Sequence, residues 1–284
     1  MDGQLNMDAE AKMEIGVMFW VGRDDLAEIR RLGVSVGQLG IGDQVELTPA
    51  FAEQWQSALA SEQFRLATVV AAYAGEDYAD IPTVQRTVGF IPQATREERE
   101  RRTLEVSDFA KVLGVGSIAC HIGFVPEDRG DPDYAAVRDV VRRVCDHAEY
   151  NGQTFALETG QEPAGTLLEF LRDCERPNLK INFDPANMIL YGTGDPIDAF
   201  ERLAPQVVSV HAKDGDWPPK DRPGSLGTER PLGEGSVGIE RFVDVMRRCG
   251  YRGTVNIERE IADQTQRLAD IGAAVELLRR LMVS

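Results

Sequence analysis

TFALETGQEPAGTLLEFLRDCERPNLKINFD, residues 154–184, decides the fold. Two short apolar runs, TFALE (154–158) and KINFD (180–184), flank GTLLEFLRDCE (165–175), whose apolar residues recur at helical spacing. Strand, helix and strand within about thirty residues make a βαβ unit, and its strands run parallel because the helix returns the chain to the edge it left. Each strand also ends on a carboxylate, Glu158 or Asp184.

The same alternation continues in both directions. Strand candidates precede the unit at IGVMF (15–19), SVGQLGI (35–41), RLATVVAAY (65–73) and SIACHIG (117–123), and follow it at VVSVHA (207–212) and TVNIE (254–258). Amphipathic stretches lie between them, among them DDLAEIRRLG, REERERRTLEVSDFAKVLG and YAAVRDVVRRVCDHAEYNG, and several stop at a glycine (Gly33, Gly114, Gly152, Gly250) suited to a left-handed helix end. Eight such units with no composition break predict an α/β fold, a single (β/α)8 TIM barrel over residues 14–284. A flexible acidic tail is expected over residues 1–13. Two long loops, 75–95 and the Pro/Gly-rich 215–237, are expected on the face where the strands end.

Composition narrows the function. The 284 residues are 43% apolar, enough for one large core, and a formal net charge of −16 repels phosphate backbones and anionic lipid surfaces. A small-molecule partner is expected, with no nucleic acid and no membrane; the oligomeric state, a homo-oligomer included, is left open. Cys120, Cys145, Cys174 and Cys249 form no CxxC pair and read as buried thiols of a reducing compartment. With no basic n-region and no long apolar run, a cytoplasmic location is expected.

Glu158, Asp184, His211 and Glu258 each close an apolar run, and the mouth of a barrel is where strand ends converge. Three carboxylates and an imidazole form a hard, oxygen-rich ligand set that suits Mn2+ best and admits Mg2+, Co2+ or Zn2+. A sugar offering two adjacent oxygens could chelate such an ion, which would polarise a carbonyl and stabilise the enediolate formed when the neighbouring carbon loses its proton. Glu158 and Glu258, on the fifth and eighth strands, approach from different sides. A pair so placed can remove a proton from one face and return it on the other, as an epimerase does, or return it to the adjacent carbon, as an isomerase does.

LETG, NFDPAN, SVHAKD with PLGEGSV, and GYRGTVNIE resemble, in strand order and over nearly the whole chain, the xylose isomerase-like barrels of the sugar phosphate isomerases/epimerases. That group includes ketose 3-epimerases and endonuclease IV-type nucleases. The resemblance implies a divalent-metal barrel with Glu158, Asp184, His211 and Glu258 as ligands, and Glu158 and Glu258 as the acid/base pair. Ketose 3-epimerases usually carry His three residues after the strand-six Asp and tend to carry Arg six residues after the metal His. Here those positions are Asn187 and Trp217. The nuclease branch uses several additional histidines, whereas this chain has only His121, His147 and His211.

The expected activity is therefore a metal-dependent isomerase or epimerase of a small keto- or aldo-sugar. The alternatives are a lyase using the same site, inosose dehydratase-like or glycoside-cleaving, then an endonuclease IV-like phosphodiesterase, then a non-catalytic sugar-binding barrel. His121, Asn187, Lys213, Trp20 and Trp217 are the expected substrate contacts: a strand-end imidazole, an amide beside Asp184, an ammonium beside His211, and two indoles able to wall a sugar face. Asp214 is expected to orient His211 or Lys213, Glu260 to begin a loop, and Gly233-Glu234-Gly235 to form a turn. His147, late in a helix, is assigned to the helix dipole. No basic Gly-rich loop calls for a phosphorylated substrate.

Overall fold

A computed structural model describes residues 12–283. Residues 1–11 of the expected tail lie outside the described residues. Eight parallel strands close a barrel: β1 (Glu14–Trp20), β2 (Val36–Ile41), β3 (Arg65–Ala71), β4 (Ser117–Cys120), β5 (Thr154–Glu158), β6 (Leu179–Phe183), β7 (Val207–Ala212) and β10 (Thr254–Ile257). β10 pairs with β1 at Glu14↔Thr254 and with β7 at Asn256↔His211, so the ring closes between the first and last units. The helices are α1 (Leu26–Arg31), α2 (Pro49–Glu62), α3 (Ile81–Thr87), α4 (Arg96–Val112), α5 (Pro132–Tyr150), α6 (Ala164–Cys174), α7 (Pro185–Tyr191), α8 (Pro196–Leu203), α9 (Ile239–Arg248) and α10 (Gln264–Val283).

Local chemistry sets the helix ends. Thr48, Asp80, Asp131, Asp184 and Asp195 accept hydrogen bonds from first-turn amides of α2, α3, α5, α7 and α8, and each of those helices has proline at its start, where no N–H is missed. Gly33, Gly114, Gly152 and Gly250 take φ of +82°, +73°, +73° and +73°, the left-handed helix end expected of them.

The main core lies between the strands and the helices. Phe183 of β6, Phe200 of α8 and Phe242 of α9 pack with ring centroids 5.1–5.7 Å apart. Fully burying each such ring contributes on the order of 1.5–3 kcal/mol, which fastens two helices to the strand that leads into Asp184. Inside the barrel a smaller cluster of Met18, Val70, Ala119 and Ala156 stands apart from that core.

Several expectations shift at their edges. The third and fourth strands stop at Ala71 and Cys120, the last pair in their shared ladder, so His121 sits just past its strand. The loop at 75–95 contains α3, started by Asp80. The loop at 215–237 is part of an ordered ribbon, β8 (Asp214–Asp216) paired antiparallel with β9 (Thr228–Arg230). The two loops are tied together where the Ile81 N–H donates to the Gly224 carbonyl at 2.9 Å. Cys120, Cys145 and Cys174 are buried, but Cys249, at the solvent-facing end of α9, is exposed. No helix among the described residues is long and apolar enough to cross a membrane.

Candidate metal centre

Strands β5, β6, β7 and β10 deliver Glu158, Asp184, His211 and Glu258 to one buried point, where one ligand-type atom from each lies within 4.8 Å of all the others. His211 Nδ1 is the hub, 3.1 Å from Glu258 Oε2, 3.3 Å from Glu158 Oε1 and 3.5 Å from Asp184 Oδ2. Ligands at about 2.1 Å from a common ion stand roughly 3 Å from one another, so the spacing fits a dication.

Two atoms test that fit. Asp184 uses Oδ1 to cap α7, accepting from the Asn187 N–H at 2.9 Å, while its Oδ2 is buried with no hydrogen-bond partner. His211 Nδ1 is likewise buried and without a hydrogen-bond partner. Orphaned polar atoms are costly unless something else satisfies them, and both point into the cluster. Burial disfavours charge on His211, but Glu258 and Glu158 outweigh it and push the imidazole well above its ordinary range. Crowded anions that hold a proton in this way would release it to a dication.

The surroundings fix the carboxylates. Glu158 Oε1 lies 3.2 Å from His121 Nε2 and accepts from Asn187 Nδ2 at 3.2 Å. Burial opposes its ionisation, yet His121 and His211 outweigh burial and hold it well below the usual carboxylate range. For His121, burial lowers the imidazole while Glu158, and then Glu76, raise it to about 9. Lys213 is buried, with Nζ 3.0 Å from Glu258 Oε2 and 2.8 Å from Glu260 Oε2. Burial lowers this ammonium, but Glu258 and Glu260 push it well above its ordinary value. Gly160, at φ +142°, lets the β5–α6 turn lie against Asn187: a Cβ there would come 2.3 Å from the Asn187 Cβ.

Beside the cluster lies a cavity of about 210 Å3. Its walls include Trp20, His121, Asn187 and Lys213 from the expected set, with Glu76, Tyr78 and Glu260 in addition, and an apolar side of Met18, Val70, Leu190, Tyr191 and Leu226. Trp20 lies flat over Gly40, where a Cβ would stand 2.3 Å from the indole. Trp217, expected to join Trp20, is 45% exposed and lies outside the cavity wall. A larger crevice of about 860 Å3, bordered by α2 and α4, shares no residue with the cluster, and ligand chemistry rather than volume locates the site.

Two expected roles change. Asp214 orients neither His211 nor Lys213. Its carboxylate accepts the backbone N–H groups of Gly215, Gly233, Gly235 and Val237 at 2.9–3.1 Å, so the turn at 233–235 is folded around it. Glu260, expected only to begin a loop, borders the cavity and grips Lys213. His147 is placed at the end of α5, 2.7 Å from Asp108 on the outer surface.

Sequence inspection missed a polar layer one step deeper: Gln38, Asn182, Ser209 and Asn256, all buried. Three of them precede a residue of the cluster by two positions (Asn182 before Asp184, Ser209 before His211, Asn256 before Glu258), the strand period that keeps both on one face. That parity was available in the sequence as a signal. Which polar group meets which across the barrel was not.

The chain matches the xylose isomerase-like TIM barrels over residues 26–281. Among solved structures, a xylose isomerase domain protein from Planctomyces limnophilus is 42% identical, covering 95% of this chain and 97% of that one, with a TM-score of 0.92. A xylose isomerase-like TIM barrel protein from Mycobacterium smegmatis in complex with magnesium is 16% identical over 97% of this chain and 98% of that one, at a TM-score of 0.70. A Methylomonas sp. D-allulose 3-epimerase in complex with D-allulose is 15% identical over 95% of this chain and 97% of that one, at 0.69, a likeness of fold. Among curated proteins, the uncharacterized protein YihM of Escherichia coli K12 is 29% identical over 115 residues, 38% of this chain and 33% of that protein. The chain thus spans about a third of that relative's length. Alone, the four converging ligands describe a chemistry and not a lineage; together with a match over residues 26–281 they place this chain in the xylose isomerase-like TIM barrel family.

Proposed function

We propose that the protein is a divalent-metal-dependent isomerase or epimerase of a small, uncharged keto- or aldo-sugar, with Glu158 and Glu258 as its acid/base pair. One observation carries this: both carboxylates border the same cavity, and their strands, β5 and β10, are separated around the ring by β6 and β7. A substrate between them meets one carboxylate on each side.

Glu158, Asp184, His211 and Glu258 would hold the ion. When bound, it would polarise the substrate's carbonyl and stabilise the charge left on proton removal. Glu158 is kept ionised by His121 and His211, so it can accept a proton from carbon. Asn187 and His121 both engage its Oε1, which fixes the plane of the carboxylate. Lys213 does the same for Glu258. Delivery of the proton to the opposite face of the same carbon would epimerise it, and delivery to the neighbouring carbon would isomerise the sugar.

The cavity also supports the substrate class. Its walls carry Glu76, Glu158, Glu258 and Glu260, and the ammonium of Lys213 is already engaged by two of them. Among the described wall residues the cationic side chains, Lys213 and His121, are both already engaged by carboxylates, whereas hydroxyls find acceptors and Trp20 offers an apolar face. A volume of about 210 Å3 suits a molecule of monosaccharide size and falls below drug-sized sites of about 300 Å3 and more.

The test is exchange with solvent. Metal-loaded protein in D2O is offered ketoses, aldoses and inososes, and deuterium is sought by NMR at the carbon beside the carbonyl. Metal-dependent incorporation without loss of mass to water or an aglycone is expected. A filled metal site with no exchange on any of them would refute the proposal, and loss of water or an aglycone would replace it with a lyase.

A further inference from the structure

The imidazole of His211 meets the four-ligand cluster through Nδ1, and its other nitrogen, Nε2, faces away into the barrel. There Gln38 of β2, from the far side of the ring, brings Oε1 to 2.6 Å from Nε2. A hydrogen must lie between them, because a bare ring nitrogen and a carbonyl oxygen at that distance would set lone pair against lone pair. The Gln38 amide is held that way round by its other end. Its Nε2 donates to Asn182 Oδ1 at 3.1 Å, and the same oxygen accepts from the Ser209 hydroxyl. The amide nitrogen of Asn182 also lies 3.0 Å from His211 Nε2, but Gln38 Oε1, at 2.6 Å, is the nearer group and the only acceptor of the two. Gln38, Asn182, Ser209 and His211 are all buried, so no solvent competes for these bonds.

We propose that Gln38 is a positioning residue for the metal centre: by accepting the Nε2 proton of His211, it leaves the Nδ1 lone pair facing the ion. Without an acceptor, the buried proton is better placed on Nδ1, where Glu258 and Glu158 attract it and where it blocks ligation. The relay Ser209–Asn182–Gln38–His211 spans β7, β6 and β2, so the tautomer is set by the closed barrel and not by a neighbour in sequence.

The proposal rests on the metal-centre reading, and the experiment separates the two. With only His121, His147 and His211 in the chain, 15N-histidine labelling gives an assignable spectrum. In the Mg2+-loaded wild type, His211 is expected to carry its proton on Nε2 and none on Nδ1. Mn2+ affinity, read by electron paramagnetic resonance, is expected to fall 10–100-fold in Gln38→Leu and to stay within about fivefold in Gln38→Glu, which keeps an acceptor oxygen. A wild type that takes up neither Mg2+ nor Mn2+ overturns the metal centre itself. Gln38→Leu binding Mn2+ as tightly as the wild type overturns the role of Gln38 alone, and a loaded wild type with the proton on Nδ1 overturns both that role and ligation by His211. Should Gln38→Leu not fold, Gln38→Met, apolar but closer in shape to glutamine, takes its place in the same Mn2+ measurement, with the same 10–100-fold loss expected.

Discussion

Asp184 and Asp214 stand at the ends of neighbouring strands, both buried, and in the sequence both are simply acids after an apolar run. Their surroundings separate them. Both oxygens of Asp214 are engaged by four backbone N–H groups of its own loop. Asp184 gives one oxygen to the start of α7 and leaves the other unpartnered against His211 and Lys213. A buried carboxylate that the backbone satisfies is structure; one left half-satisfied keeps an oxygen that a ligand could take up.

Substitution separates the two acids. The largest effect belongs to the proposed acid/base pair beside Asp184: Glu158→Gln or Glu258→Gln is expected to slow solvent-deuterium exchange by about 10^2–10^4-fold while circular dichroism stays that of the wild type. Next, Asp184→Asn should weaken Mn2+ binding by about 100-fold or more in a metal titration, yet leave the metal-free protein as stable as before or slightly more so, since one of several crowded charges is gone. Equal destabilisation of the apo-protein by Asp184→Asn and Asp214→Asn would erase the distinction between them. Asp214→Asn should show the opposite pattern, losing about 2–3 kcal/mol of stability in urea unfolding as loop N–H groups lose their acceptor, with Mn2+ affinity changed by less than about threefold.

A third buried acid marks the middle of the scale. Glu162 has an unpartnered Oε2, and burial raises its carboxyl from 4.5 to about 8. Between those values the unfolded chain ionises while the fold retains the proton, so the unfolded state binds fewer protons and stability falls as pH rises across the window. Glu162→Gln should flatten that decline by about 1 kcal/mol or more between pH 5 and 8, read from paired urea titrations. An unchanged slope would mean that Glu162 ionises in the fold and has a partner.

Much of the architecture was legible because parallel strands covered on both faces are short apolar runs, and helices between them carry helical periodicity and glycine stops. The convergence of Glu158, Asp184, His211 and Glu258 was legible because strand ends meet at a barrel mouth, whatever the loops do. The role of Asp214 was not, since its partners lie 1–23 residues downstream in a loop whose path no periodicity fixes. Neither was the displacement of Trp217, which leaves the cavity as β8 and β9 form their ribbon.

Sequence alone was enough for the repeating βα unit, the strand ends and the acidic and imidazole side chains they carry, because each depends on residues near one another along the chain. The closed barrel alone decided which oxygen of Asp184 stays unpartnered, which atoms Lys213 binds, and that Gln38 meets His211 across 173 positions. Hydrogen-bond partners and desolvation are properties of assembled surfaces, and they exist only once the strands have closed the ring.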